Sequence, residues 1–200
     1  MDISEKNIHV FRMINDLGKE YTYLNAPVYF IAEYLVLVLA LSVVLMWLTG
    51  NKANRIMVFC AVISFGAAEV FAKFAGMLHH NHQPFAELSH VNKLVDKAVN
   101  NSFPSDHTIL FFSFCITFWL FKRGWWFLWI ILAAIVGVSR IWVGVHYPAD
   151  VLAGALISLV SAILVYIIVP QMNVTKKIIK VSERFDRLAL TKRKKVPKNY

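Results

Sequence analysis

From Val28 to Leu48 the chain carries one charged side chain, Glu33, in an otherwise apolar run. A helix of about 20 residues rises ~30 Å, the thickness of a bilayer's hydrocarbon core. In that medium every backbone N–H and C=O must find its partner within the protein, so a run of this kind folds as a helix. Four similar runs follow. Ile56–Leu78 contains Glu69 and Lys73; the next begins at the stretch SFPSDHT and reaches about Phe121; another covers Trp125 to about Val143; the last, Val151–Val169, is closed by Pro170. No repeat or low-complexity linker separates them. The expected fold is all-α: a polytopic membrane bundle of five transmembrane helices, occupying residues 28–170.

The flanks are of another kind. In residues 1–27, Ile3, Ile8, Phe11, Ile14 and Leu17 recur at roughly helical spacing among polar residues, the pattern of an amphipathic helix lying in the membrane interface. A sixth span follows only if this segment inserts, which its charges oppose. Residues 171–200 form a basic tail: ten of the 21 Lys and Arg fall between Lys176 and Lys198. With 58% of its residues apolar, the chain is not a soluble nucleic-acid binder. An anionic membrane surface is the expected partner of its +9 net charge. Cys60 and Cys115 both lie inside apolar runs and read as small buried hydrophobes.

Five spans put the two termini on opposite sides. Lys52 and Arg55, the turn at Lys122 and Arg123, and the basic tail share one side, which the positive-inside bias makes cytoplasmic. The two polar stretches SFPSDHT (102–108) and SRIWVGVHYPAD (139–150) then share the outer face.

Each stretch has two readings. In the first, Pro104, Ser105 and Asp106 mark a helix start, with Ser105 as N-cap. A helix N-terminus also binds phosphate readily, and His107 in that turn could carry a proton. In the second, Asp150 lies four residues after His146, where its carboxylate could hold one ring nitrogen and leave the other free as a nucleophile. Arg140 offers a planar fork suited to phosphate oxygens, and Ser139 a hydroxyl. As caps and a snorkelling Arg, the same residues need no chemistry. A metal is the rival functional reading, because His79, His80, His82, His90, His107 and His146 all fall on the outer side. No HExxH, Asp cluster or Cys ligand set accompanies them.

Together the two stretches resemble motifs of the type 2 phosphatidic acid phosphatase superfamily. FPSDHT is similar to that family's PSGH-type second motif. SRIWVGVHYPAD matches its third: Ser-Arg, five residues, His, three residues, Asp. Within the family, the short chain and the phrase SRIWVGVHYP look most like bacterial undecaprenyl-diphosphatases. The resemblance implies His146 as nucleophile on the terminal phosphorus, Asp150 as its orienting group and His107 as general acid. It assigns Ser105, Ser139, Arg140 and the backbone around Asp106 to the transferring phosphoryl group. It also implies no cofactor or metal, and a polyprenyl diphosphate substrate presented at the outer face of a bacterial cell membrane. Bacitracin binds that diphosphate, so hydrolysis would limit the drug's target. A phosphatidate or phosphatidylglycerophosphate phosphatase is the alternative within this chemistry. A transporter or permease subunit is the alternative outside it.

The first motif departs from the pattern. Where the family has Lys, six residues, then Arg-Pro, this chain reads KFAGMLHHNHQPF, with Gln83 in place of Arg and Lys73 ten residues upstream. A diphosphate carries about three negative charges, and Gln83 brings none. Lys73 is the expected replacement, with a pairing to Glu69 four residues away as its other reading. Lys93, Lys97 and the histidines at 79, 80 and 82 remain open, as does Glu33. Asp106 stands where the family often has Gly, and is expected to point outward.

Overall fold

A computed structural model describes residues 2–48 and 51–181. Its helices are α1 (Ile3–Asn15), α2 (Leu17–Glu20), α3 (Asn25–Leu48), α4 (Lys52–Leu78), α5 (Pro84–Glu87), α6 (Asp106–Lys122), α7 (Leu128–Trp142) and α8 (Pro148–Ile168). Residues 173–181 are also helical; most of the basic tail lies outside the described residues. No strand forms among the described residues, beyond one isolated bridge between His82 and Asn101. The protein is a helical membrane bundle.

Four segments are long and apolar enough to cross a bilayer: Thr22–Leu48, Lys52–Leu78, Gly124–Trp142 and Pro148–Gln171. Helix α6, with 17 residues, is shorter. It is also the hub, packing against α8, α4 and α7. Its Phe111, Phe114, Cys115 and Phe118 join Met57 and Ala61 of α4 and Ala133 and Val136 of α7 in the central core. Small residues set the helix spacing, as expected where lipid supplies no hydrophobic drive between helices. A Cβ on Gly154 of α8 would come within 3.1 Å of the Ser105 carbonyl oxygen, so α8 crosses the start of α6 at close range.

The two ends of the bundle differ. At the end bearing the 122–127 turn, cations lie over aromatic rings: Arg55 over Trp47, Lys122 over Trp126, and Arg123 over Trp119 and Tyr166. At the other end stand the α4–α6 connection, the α7–α8 turn and α1. The apolar face of α1 turns in part to the bundle: Phe11 is fully buried beside Ile141 and Tyr147. Polar groups fasten the same helix. Asn15 is fully buried; its amide donates to the carbonyls of Asn92 (3.0 Å) and Trp142 (2.8 Å) and accepts from Asn92 N–H (2.9 Å). Arg12 donates to the Ser89 and His90 carbonyls, and Lys19 Nζ to His90. Asn7 Oδ1 accepts from Ala149 N–H in the first turn of α8 (3.0 Å). Gly144, at φ 83°, lets the α7–α8 turn pass under the loop, since a Cβ there would meet Val91 and the Asn92 carbonyl at 2.7 and 2.8 Å.

Candidate active site

The turn between α7 and α8 buries His146, which is 1% exposed. Its Nδ1 lies 2.9 Å from the Ser102 carbonyl oxygen. A carbonyl can only accept, so Nδ1 carries the proton and Nε2 presents its lone pair. Lys97 Nζ stands 3.3 Å from that Nε2. Burial lowers the His146 pKa below the usual histidine range, with Asp150 opposing and the Lys97 and Arg140 charges reinforcing. The imidazole is therefore a neutral base of fixed tautomer, the form a nitrogen nucleophile needs.

Asp150 does not hold the ring in the manner expected. Its Oδ2 is 3.6 Å from Nδ1, and accepts instead from Ser102 Oγ (2.9 Å) and from Tyr147 N–H (2.8 Å). Ser102, fully buried, is the intermediary: its hydroxyl binds the carboxylate and its carbonyl binds the histidine. Nothing in the spacing of His146 and Asp150 signalled it, although it opens the SFPSDHT stretch. The two polar stretches also meet through the backbone, where Ser105 N–H donates to the Asp150 carbonyl (3.2 Å).

Ser105 occupies the N-cap position of α6, but its side chain makes no capping bond; its Oγ accepts from Thr108 Oγ1 at 3.0 Å. The positive end of α6 is thus left without a side-chain cap, and His107 sits in its first turn, within electrostatic reach of Arg140, His146 and Lys97. Arg140 is 2% exposed. Its Nη1 donates to Glu33 Oε1 and to the Ala32 carbonyl, both at 2.8 Å, while its buried Nε has no partner. Glu33, the lone acid of the first span, is therefore the counter-ion of Arg140. Ser139 turns its hydroxyl back to the Val136 carbonyl (2.6 Å) and lines an apolar groove of about 380 Å³ with Val28, Ile31, Ile135 and Trp142.

The remaining expected residues lie elsewhere. Gln83 is fully buried, and its amide is spent on Asn100: Oε1 accepts from Asn100 N–H (3.0 Å) and Nε2 donates to Asn100 Oδ1. It holds the loop rather than facing the histidines. Lys73 lines a cleft of about 450 Å³ with Glu69, Gly76, Asn101, Phe103 and Asp106; Asp106 is exposed there, as expected. His79 packs on Phe103, and His80 on His82. Among the described residues no three His, Cys, Asp or Glu side chains gather as metal ligands.

The arrangement is a buried imidazole with Lys97 at its Nε2, Arg140 and His107 within electrostatic reach, and a helix start without a side-chain cap. Comparison with known proteins shows the family. Residues 34–173 match the PAP2 superfamily model. The chain is 52% identical to the bacitracin transport permease protein BcrC of Bacillus licheniformis, over 94% of this chain and 92% of that one. It is 33% identical to the undecaprenyl-diphosphatase BcrC of Bacillus subtilis, over 80% and 82%. The crystal structure of Aquifex aeolicus LpxE superposes with a TM-score of 0.62 at 23% identity, covering 82% of this chain and 98% of that one, a likeness of fold.

Proposed function

The chain belongs to the PAP2 superfamily, and from that membership we propose that it is an integral membrane phosphatase that hydrolyses undecaprenyl diphosphate to undecaprenyl phosphate and inorganic phosphate. The observation that carries the proposal is the fixed tautomer of His146, with Lys97 at its Nε2 and the Arg140 charge within electrostatic reach. Nε2 attacks the terminal phosphorus; a P–N bond forms as the bond to the bridging oxygen breaks. The departing lipid phosphate takes a proton from His107. Water, giving a proton back to His107, then attacks the phosphohistidine, the P–N bond breaks, and inorganic phosphate leaves. Asp150 acts through Ser102, keeping the carbonyl of that residue on Nδ1–H. Arg140 and the N–H groups at the start of α6 take the charge on the phosphoryl oxygens, an electrostatic contribution of the kind that dominates phosphoryl transfer.

The site faces outside in this reading and the tail is cytoplasmic. The cations stacked on aromatic rings at the opposite end of the bundle favour that orientation. Hydrolysis there returns the lipid carrier for another round of cell-wall synthesis and removes the target of bacitracin. The relatives' names divide between a permease and a diphosphatase, and the polar groups favour the second. Lys97, His107, Arg140, His146 and Asp150 gather at one end of the bundle, where a transport path would need ionisable groups along its length.

Purified protein in detergent is expected to release phosphate from a C55 polyprenyl diphosphate in the presence of chelator, faster than from phosphatidate. Release that needs an added divalent ion sinks the histidine mechanism. Vesicles that export bacitracin but release no phosphate favour the permease.

A further inference from the structure

We infer that Lys97 is the cation that holds the transferring phosphoryl group over His146 Nε2, the place for which the sequence offered Lys73 and Gln83. The inference rests on the phosphatase reading above and assigns a binding residue within it.

The charge balance points to Lys97. Arg140 is already paired with Glu33 at 2.8 Å, so it brings less than a full charge to a substrate carrying about three. Gln83 is neutral and spent on Asn100. Lys73 faces Glu69 and Asp106 across an open cleft. Lys93 lies over the Phe85 ring and 3.8 Å from Asp96. Lys97 alone among these has its ammonium on the nucleophile, and among the described residues its hydrogen-bonding partner is the neutral His146 ring.

That contact is a poor structural bond. An ammonium has three N–H donors, and one neutral nitrogen satisfies one of them. Lys97 is partly buried, and an anion offsets that partial desolvation better than one neutral nitrogen does. Two donors of Lys97 are thus left at Nε2, where a phosphoryl group's oxygens would satisfy them, with the Arg140 charge within electrostatic reach.

The loop is built to keep Lys97 there. On one side Leu94 N–H donates to the Val143 carbonyl (3.2 Å), and Val95 is buried with Ala32, Val143 and Val145. On the other, Asn100 is held by Gln83, and Ser102 N–H donates to the Asn81 carbonyl (2.7 Å). Without substrate the ammonium occupies the lone pair of Nε2. When the diphosphate enters, Lys97 passes from Nε2 to a phosphoryl oxygen, freeing the lone pair for the P–N bond. Lys97 keeps its protons throughout; the leaving lipid phosphate is protonated by His107.

The test is steady-state hydrolysis of a polyprenyl diphosphate by the full chain in detergent, for the parent, Lys97→Gln, Lys97→Arg, Lys97→Cys and Lys73→Gln. Lys97→Gln is expected to lower kcat/KM about 100-fold, the scale of losing one charged donor at a transition state. Lys97→Arg should retain at least about a tenth of the parent value, and Lys73→Gln should stay within about threefold. Cys60 and Cys115 are both fully buried, so Lys97→Cys can be alkylated selectively with bromoethylamine, which rebuilds an ammonium of similar reach. Recovery of at least about tenfold on alkylation supports the inference and excludes misfolding as the cause of the loss. Lys97→Gln within threefold of the parent overturns it, as does a Lys97→Cys protein that alkylation fails to revive. A parent that hydrolyses no lipid diphosphate removes the phosphatase reading itself, and this inference with it.

Discussion

Two polar clusters share one end of the bundle. Glu69, Lys73 and Asp106 line an open cleft between α4 and the start of α6; Glu33, Lys97, Arg140, His146 and Asp150 form a second set around the α7–α8 turn, most of it buried. Both hold a lysine and two carboxylates. They differ in what surrounds the charges. The cleft is open on one side, and neither His146, His107 nor Arg140 lines it. In the buried set, a tautomer is fixed by a carbonyl, a guanidinium donates to a carboxylate and a carbonyl and keeps an N–H without a partner among the described residues, and an ammonium leans on a lone pair. Residue type is common to both clusters; burial and partner geometry set them apart, and the proposed chemistry belongs to the second.

Substitutions can break that contrast, beginning with the nucleophile. His146→Ala is expected to lower phosphate release at least about a thousandfold, with no phosphoenzyme trapped on acid quench. Substantial turnover in that variant would remove His146 from its role. Next comes Arg140→Lys, which keeps a charge but loses the Nη2 and Nε donors that remain beyond the Nη1 bonds to Glu33 and Ala32. A loss of about 100-fold in kcat/KM is expected; near-parental activity would show that charge alone suffices at this position. The acid limb of the pH profile sharpens the comparison. Burial holds the His146 pKa below the usual range, so the neutral nucleophile persists as pH falls through about 6.5, and the limb should lie beneath that value, falling about tenfold per unit thereafter. The same shift affects stability. An unfolded histidine takes up a proton near pH 6.5 while the folded one resists, so stability attributable to His146 is full above about 6.5 and declines as pH falls below it. Melting temperature against pH for the parent and His146→Gln checks the sign. Smallest is Lys73→Gln, within about threefold of the parent, because neither histidine of the proposed mechanism nor Arg140 lines its cleft. A large loss there would join the two clusters into one site.

The spans were legible because apolar length is a property of composition that packing does not alter. The Val28–Leu48, Ile56–Leu78 and Val151–Val169 runs fall within α3, α4 and α8 with its short extension. The meeting of SFPSDHT with the α7–α8 turn was legible too, once counting spans put both on one face. What sequence spacing could not show is which partner a polar atom selects. His146 and Asp150 at i and i+4 suggested a direct bond, but the carboxylate caps the start of α8 and reaches the ring through Ser102. Gln83 stood at the motif's expected basic position, but its amide is consumed within the loop. Periodicity marked an apolar face on α1 without saying that Phe11 and Asn15 would be buried on the bundle.

The ties of α1 to the α4–α6 connection have a consequence in polymer terms. A free loop over residues 79–105 would place its middle almost anywhere above the turn, and each encounter of Lys97 with Nε2 would cost chain entropy. Asn15 on Asn92, Leu94 on Val143, Gln83 on Asn100 and Asn81 on Ser102 cut that loop into short arcs, and Lys97 rides on one of them. The ammonium is thereby held at a high effective concentration over the nitrogen, with the ordering completed at folding instead of being repeated at every turnover. An α1 that loosens its hold would leave every residue of the two motifs in place and still dilute the one cation that the motifs do not contain.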